Sequence, residues 1–125
     1  MVKSIISALV TLALFVCASI GEQAYLKKNF TEFKEEAAVL YDKIENETAT
    51  ADDALSLQKF WIRKKESLHI FVPHSEIKEI DLWIAESVTL IKNKKYDDAL
   101  SKIDVVIELV EQIPKTFCLR IENIL

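Results

Sequence analysis

Residues 97–113, DDALSKIDVVIELVEQI, predict the fold more directly than any other part of the chain. Apolar residues recur there at steps of three and four, which is the spacing of one face of an α-helix. That face consists of Ala99, Ile103, Val106, Val110 and Ile113. Leu100, Ile107 and Leu109 widen the apolar surface around the helix, so we expect this helix to pack against two neighbours. A fold of several helices is therefore required.

The first five residues of this stretch, DDALS, also occur at 52–56. Each copy opens a segment with helical apolar spacing, and each segment follows another of the same kind. This repeat of DDALS predicts two antiparallel helical hairpins, over about 24–72 and 74–113. Two hairpins of one kind can form a four-helix bundle or a short helical-repeat-like array, and the sequence leaves both open.

The other three helices of the hairpins each carry one apolar stripe. The first helix, over about 24–47, has Phe30, Phe33, Ala37, Leu40 and Ile44. The second has Leu57, Trp61, Leu68 and Val72, and the third has Ile77, Ile80, Ile84, Val88 and Ile91. We expect these stripes to form the core together with the stripe of the fourth helix.

Polar residues and prolines mark the ends of these helices. Thr50 is placed to cap the second helix, with Asp52 and Asp53 in its first turn. Pro73 is expected to end or kink that helix, because the residue before a proline is pushed out of the helical region. Pro114 is expected to close the fourth helix and to leave a short carboxyl-terminal helix over about 115–125.

Composition agrees with an all-α fold and excludes several functions. The 125 residues contain one glycine and two prolines, which is too few turn-forming residues for a β-sandwich or barrel. Glycine-rich phosphate loops are excluded after Gly21. The net charge is −4, and no basic face suited to nucleic acid is evident. We therefore expect no nucleic-acid partner and no cofactor.

The amino-terminal segment SIISALVTLALFVCASI, residues 4–20, has no charged residue. As a helix it would span about 25 Å, slightly less than the hydrocarbon core of a bilayer. Residues 1–23 are therefore a signal peptide or a single transmembrane anchor, and the length of the run favours the anchor. Acylation of Cys17 is a third possibility, although Val16 is larger than such a site requires. All three place residues 24–125 outside the cytoplasm, as a single-pass membrane protein or as a secreted one.

His69, His74 and Glu76 lie on either side of Pro73 and are the candidates for a metal site. Zinc-binding histidines on one helix stand four residues apart, whereas these stand five apart across a proline. The stretch from Pro73 is explained more simply as a helix start, with His74 or Ser75 near the cap. Ser75 beside His74 is a poor nucleophile–base pair, because adjacent side chains rarely converge. We therefore expect no catalytic residue and no metal ligand.

The two tryptophans have different expected roles. Trp61 lies on an apolar stripe and is expected in the core. Trp83 lies off the stripe of its helix, so it is a candidate for contact with a partner. Ile121 and Leu125 at the carboxyl end are two further candidates. Cys118, the only cysteine after the apolar segment 4–20, is expected to behave as a small buried apolar residue.

The whole chain resembles the bacterial domain-of-unknown-function family 4363. The resemblance rests on the apolar leader, Trp61, HSEI at 74–77, DDAL at 97–100 and ENIL at 122–125. It implies a membrane-anchored protein outside the cytoplasm of a Gram-positive bacterium, and it supplies no activity. The function expected is a non-enzymatic interaction domain that binds a membrane or envelope protein. The alternative is a secreted helical module that binds a small molecule or a metal.

Overall fold

The computed structural model describes residues 1–70 and 72–124, and it describes side chains as far as Lys115. The described residues form four α-helices and no strand, so the predicted all-α fold is confirmed. The helices are α1 (Val2–Glu45), α2 (Ala51–Leu68), α3 (His74–Lys92) and α4 (Tyr96–Ile124). The short connections between them favour antiparallel neighbours.

The four helices close into a bundle. α1 packs against α2 and α4, and α3 packs against the same two helices. Lys43 binds Asp53 at one end of the α1–α2 pair, and Lys64 binds Glu32 toward the other end, so the two helices are antiparallel. Because α4 returns to α1, the structure is a four-helix bundle and not an open array of hairpins.

The core contains every residue of the four predicted apolar stripes, although α2 ends at Leu68 and not at Pro73, so Val72 lies in the connection after the helix. All of these side chains are buried, including Trp61 and the five stripe residues of α4. Leu26, Ala49, Ala54 and Ala99 are also buried. Ala54 and Ala99 are equivalent residues of the two DDALS copies, and each copy lies in the first turns of its helix. The prediction of two equivalent hairpins is confirmed at this level.

The two hairpin turns share a backbone motif that the sequence pattern did not indicate. Asn46 is the C-cap of α1 and Asn93 is that of α3, and the next residues, Glu47 and Lys94, each have a φ of 57°. The amide of Lys94 donates to Ile91 O at 3.0 Å, and that of Lys95 donates to Leu90 O at 2.9 Å. The corresponding two bonds follow Asn46. Both turns are therefore Schellman motifs whose left-handed residue is not glycine.

Lys94→Gly is expected to stabilise the protein by about 1 kcal/mol, because glycine adopts a positive φ without the steric cost of a Cβ atom. The measurement is thermal unfolding of the full chain in detergent, followed by circular dichroism. Lys95→Gly is the matched control, since Lys95 is an exposed neighbour without a positive φ. A Lys94→Gly variant no more stable than the Lys95→Gly variant would contradict the strain assigned to Lys94.

α1 is one continuous helix, whereas the sequence suggested a separate apolar segment followed by a helix from about residue 24. The residues between the apolar run and the bundle contain no proline, and the one glycine, Gly21, costs a helix only about 1 kcal/mol. Nothing lies within 4 Å of the position that a Cβ atom of Gly21 would occupy. The apolar segment is therefore joined to the bundle by uninterrupted helix.

The predicted end of the fourth helix at Pro114 is wrong. α4 continues through Pro114 to Ile124, so residues 115–124 belong to α4 and do not form a separate helix. A proline removes one backbone hydrogen bond, here the bond to the carbonyl of Val110, and it kinks a helix more readily than it reverses the chain. The packing of α4 along α1 offsets that cost. The helix start at Pro73 is confirmed, although neither His74 nor Ser75 provides a side-chain cap.

Candidate interaction surface

An open groove of about 650 Å³ runs between α3 and α4 on the outside of the bundle. It is lined by Ala85, Glu86, Thr89, Leu90, Asp98, Ser101 and Lys102. The α4 wall begins with the second DDALS copy, because that copy contributes Asp98 and Ser101. Most of the surface in the groove is apolar, and charged side chains stand at its rim.

Leu82 extends the α3 wall of this groove. Leu82, Glu86 and Thr89 follow one another at steps of four and three, so they share a face of the helix. Leu82 is 58% exposed, which is high for a large apolar side chain in a folded domain. The sequence pattern singled out its neighbour Trp83 and not Leu82 itself. The available signal was the same in both cases: an apolar residue outside the core stripe.

Trp83 is half-buried and packs against the core, so only part of its ring reaches the surface. The ammonium nitrogen of Lys102 lies 4.3 Å from the ring centroid, which is the geometry of a cation–π contact. Lys102 also forms an ion pair with Glu86 at 3.3 Å. These three side chains build a surface in which an aromatic ring, an ammonium and a carboxylate have fixed relative positions.

His69 and His74 are brought together at the connection between α2 and α3. Both are exposed, and their ring centroids are 5.6 Å apart. Glu76 lies in the first turn of α3 and is half-buried. Within residues 1–70 and 72–124, no group of three or more His, Cys, Asp or Glu side chains is arranged to hold a metal ion. The histidines are therefore a pair without a third ligand among the described side chains.

Two of the predicted partner-contacting residues cannot be placed as side chains. Ile121 lies in the last turns of α4, as does Cys118, but their side chains fall outside the described residues. Leu125 lies outside the described residues altogether. The predicted roles of these three residues stay predictions.

Three carboxylates with shifted pKa values lie in contacts that hold the bundle together. The hydrogen bond from Lys64 lowers the pKa of Glu32, and the hydrogen bond from Lys34 lowers that of Glu111. The backbone amide of Thr50 lowers the pKa of Asp53, and Lys43 adds to the effect. Perturbed pKa values often mark functional sites. In this bundle these three are explained by ion pairs and by the capping box of α2.

The amino-terminal part of α1 is the other surface without a partner in the bundle. It is long and apolar enough to cross a membrane, and it is the one candidate span among the described residues. None of its most apolar stretch is covered by the rest of the protein. Length and composition alone are weak evidence for a membrane span, because signal sequences share them.

Comparisons with known proteins agree with the sequence motifs. No curated protein and no solved structure matches the chain. One family model matches residues 20–124, which include all of α2 and α3 and the part of α1 that packs in the bundle. Since this match covers most of the sequence, the chain belongs to the family described as Domain of unknown function (DUF4363).

Proposed function

We propose that this protein is a non-enzymatic interaction domain, anchored in the cell membrane by residues 4–20, that binds another envelope protein through the groove between α3 and α4. The continuity of α1 carries the proposal. An apolar, uncovered helical segment continues without a break into the part of α1 that packs in the bundle, so one helix joins the segment to the bundle. The proposal places the bundle outside the cytoplasm, with Lys3 on the inner flank of the span and Lys27 and Lys28 on the outer flank.

The groove suits a protein partner better than a small substrate. It is open, and its lining combines Leu90 with the ion pair of Glu86 and Lys102, while the exposed Leu82 lies one helical turn before Glu86. Interfaces commonly place aromatic and aliphatic anchors inside a polar rim, and Trp83 with Leu82 fits that pattern. The expected partner contributes aliphatic side chains to the groove and polar groups to its rim.

A binding role is also favoured over catalysis by the distribution of polar groups. The serine and charged residues of the groove, Ser101, Glu86 and Lys102, lack a neighbouring histidine, since both histidines lie at the connection between α2 and α3. A nucleophile needs a base within hydrogen-bond reach. The groove therefore offers contacts for recognition and no serine–histidine pair.

The proposal is tested by photo-crosslinking from the surface of the full chain in membranes. A photoreactive phenylalanine analogue at Leu82 is expected to form a crosslink to a membrane protein. The same analogue at Val39, an exposed residue of α1, is expected to form none. Filling the groove with Ser101→Trp should reduce the Leu82 crosslink by about tenfold or more, because tight contacts at an interface centre dominate binding.

The DDALS repeat provides the control for that substitution. Ser56 is the equivalent of Ser101 in the first copy, and it is exposed on α2 away from the groove. Ser56→Trp should leave the crosslink unchanged. Equal crosslinks from Leu82 and Val39, or equal effects of the two tryptophan substitutions, would contradict the assignment of the groove.

The proximity of the two imidazoles favours one second candidate, a secreted module that binds a metal or a small molecule. Histidines whose rings are 5.6 Å apart could share a metal ion if a further ligand joined them. Zinc or copper would then raise the melting temperature of the chain, and His74→Ala would remove that rise. An unchanged melting temperature with either metal would eliminate metal binding.

A further inference from the structure

Among the described residues of the connection between α2 and α3, one large apolar side chain lies outside the core. Leu68 and Val72 are buried, and the amide of Val72 donates to Leu68 O at 3.1 Å, so both ends of the connection are fastened to the bundle. Ile70 between them is 83% exposed, more than any other large apolar side chain that the structure describes after residue 20. Core packing therefore gives no reason for an isoleucine at this position.

This connection lies at the end of the bundle from which the apolar segment of α1 departs. The ammonium of Lys64 donates to the side-chain oxygen of Asn29 at 3.0 Å, which fixes the register between α2 and α1. α2 runs on for four residues toward the amino end of α1, and at 1.5 Å per residue that is about 6 Å. The connection therefore begins near the level of residues 25–26.

The distance to the expected membrane is short. From residue 20, the last of the uncharged run, to residue 25 or 26 is about 8 Å along the helix. The headgroup layer on one side of a bilayer is about 5–8 Å thick. A connection that starts at the outer boundary of this layer is within reach of the lipid surface.

The surface of α1 at the same level has the chemistry of a membrane–water boundary. Tyr25, Lys27 and Lys28 are exposed, and neither lysine forms an ion pair with a described side chain. Tyrosine is enriched at membrane interfaces, and lysines extend their ammonium groups toward the headgroups while their alkyl chains stay in apolar surroundings. The exposed isoleucine and these side chains point to one occupant, the bilayer itself.

We propose that Ile70, which follows α2, is inserted at the interface of the bilayer that α1 crosses, with Lys27 and Lys28 at the headgroups. The proposal rests on the membrane anchoring proposed above. It adds a second point of contact, so the bundle stands in a fixed orientation on the membrane. α3 then runs away from the lipid, and the groove residues Thr89 and Leu90 near its end face the aqueous space.

The test places one spin label at a time on the full chain in vesicles of phosphatidylcholine containing phosphatidylglycerol. Cys17 and Cys118 are replaced by alanine, and the label is attached at Ile70→Cys, Leu9→Cys or Val39→Cys. Collision with oxygen reports contact with lipid, and collision with a water-soluble nickel complex reports contact with water. Val39 is the matched control, because it is an exposed apolar residue on the bundle part of α1.

We expect the label at residue 70 to be several-fold less accessible to nickel than the label at residue 39, and the label at residue 9 to be the least accessible. Equal accessibility at residues 70 and 39, with residue 9 protected, would overturn the contact of Ile70 and leave the anchor intact. Exposure of residue 9 to nickel would contradict the anchor, and the contact of Ile70 would fail with it.

Discussion

Trp61→Ala is expected to lower the free energy of unfolding by about 3–5 kcal/mol, the range for removing a large aromatic side chain from a core. Trp61 is 1% exposed, and its ring centroid is 5.1 Å from that of Phe33. Its indole nitrogen donates to Asp81 Oδ1 at 2.6 Å, and Lys65 donates to the other carboxylate oxygen at 3.1 Å. The substitution removes the ring contact and leaves Asp81 without its indole partner.

Because small domains are stable by only about 5–15 kcal/mol, this loss should unfold a visible fraction of the protein. The measurement is chemical denaturation of the full chain in detergent, followed by circular dichroism. Trp83→Ala is the matched control: it removes the same side chain from a half-buried site, where the cation–π contact with Lys102 contributes about 1 kcal/mol. A loss from Trp83→Ala as large as that from Trp61→Ala would place the centre of the core elsewhere.

The double substitution Leu9→Arg and Leu12→Arg is expected to release the protein from the membrane. An arginine at the centre of a spanning helix costs about 2.5–3.5 kcal/mol on insertion scales, so two cost about 6 kcal/mol. Both leucines are exposed in the structure, so neither change disturbs the bundle. The readout is the fraction of the full chain that remains with the membrane pellet.

The matched control changes two exposed apolar residues of the bundle to the same residue. Val39→Arg and Ile62→Arg add the same charge at sites that are exposed but lie after the apolar segment. This variant should remain in the pellet, because neither residue lies within 4–20. Release of both double variants would mean that charge alone detaches the protein, and retention of both would mean that residues 4–20 are not the anchor.

The fold was predictable from the sequence where burial alone decides the residue type. The four stripes are buried as expected, because a helix in a bundle must cover one apolar face. Apolar residues at steps of three and four along the sequence identify that face. The path of α4 through Pro114 was not predictable. It depends on the packing of α4 along α1, which local residue preferences do not record.

The turns and the candidate surfaces were also predictable from the sequence only in part. The left-handed conformations at Glu47 and Lys94 carry no glycine signal, so the sequence does not mark them. Trp83 was identified because it lies off its stripe. The position of Lys102 over its ring requires the register between α3 and α4. Ile70 and Val72 look alike in sequence, and only the structure shows that one is buried and the other is exposed.

The central claim is that residues 4–20 remain on the protein and hold the bundle on the membrane. The most direct measurement is to express the full gene in a bacterial host, wash the membranes with alkaline carbonate and take the intact mass of the protein. We predict the full-length mass in the washed pellet. A mass reduced by about the first 18 residues, found in the soluble fraction outside the cells, would contradict the anchor and indicate a cleaved signal peptide.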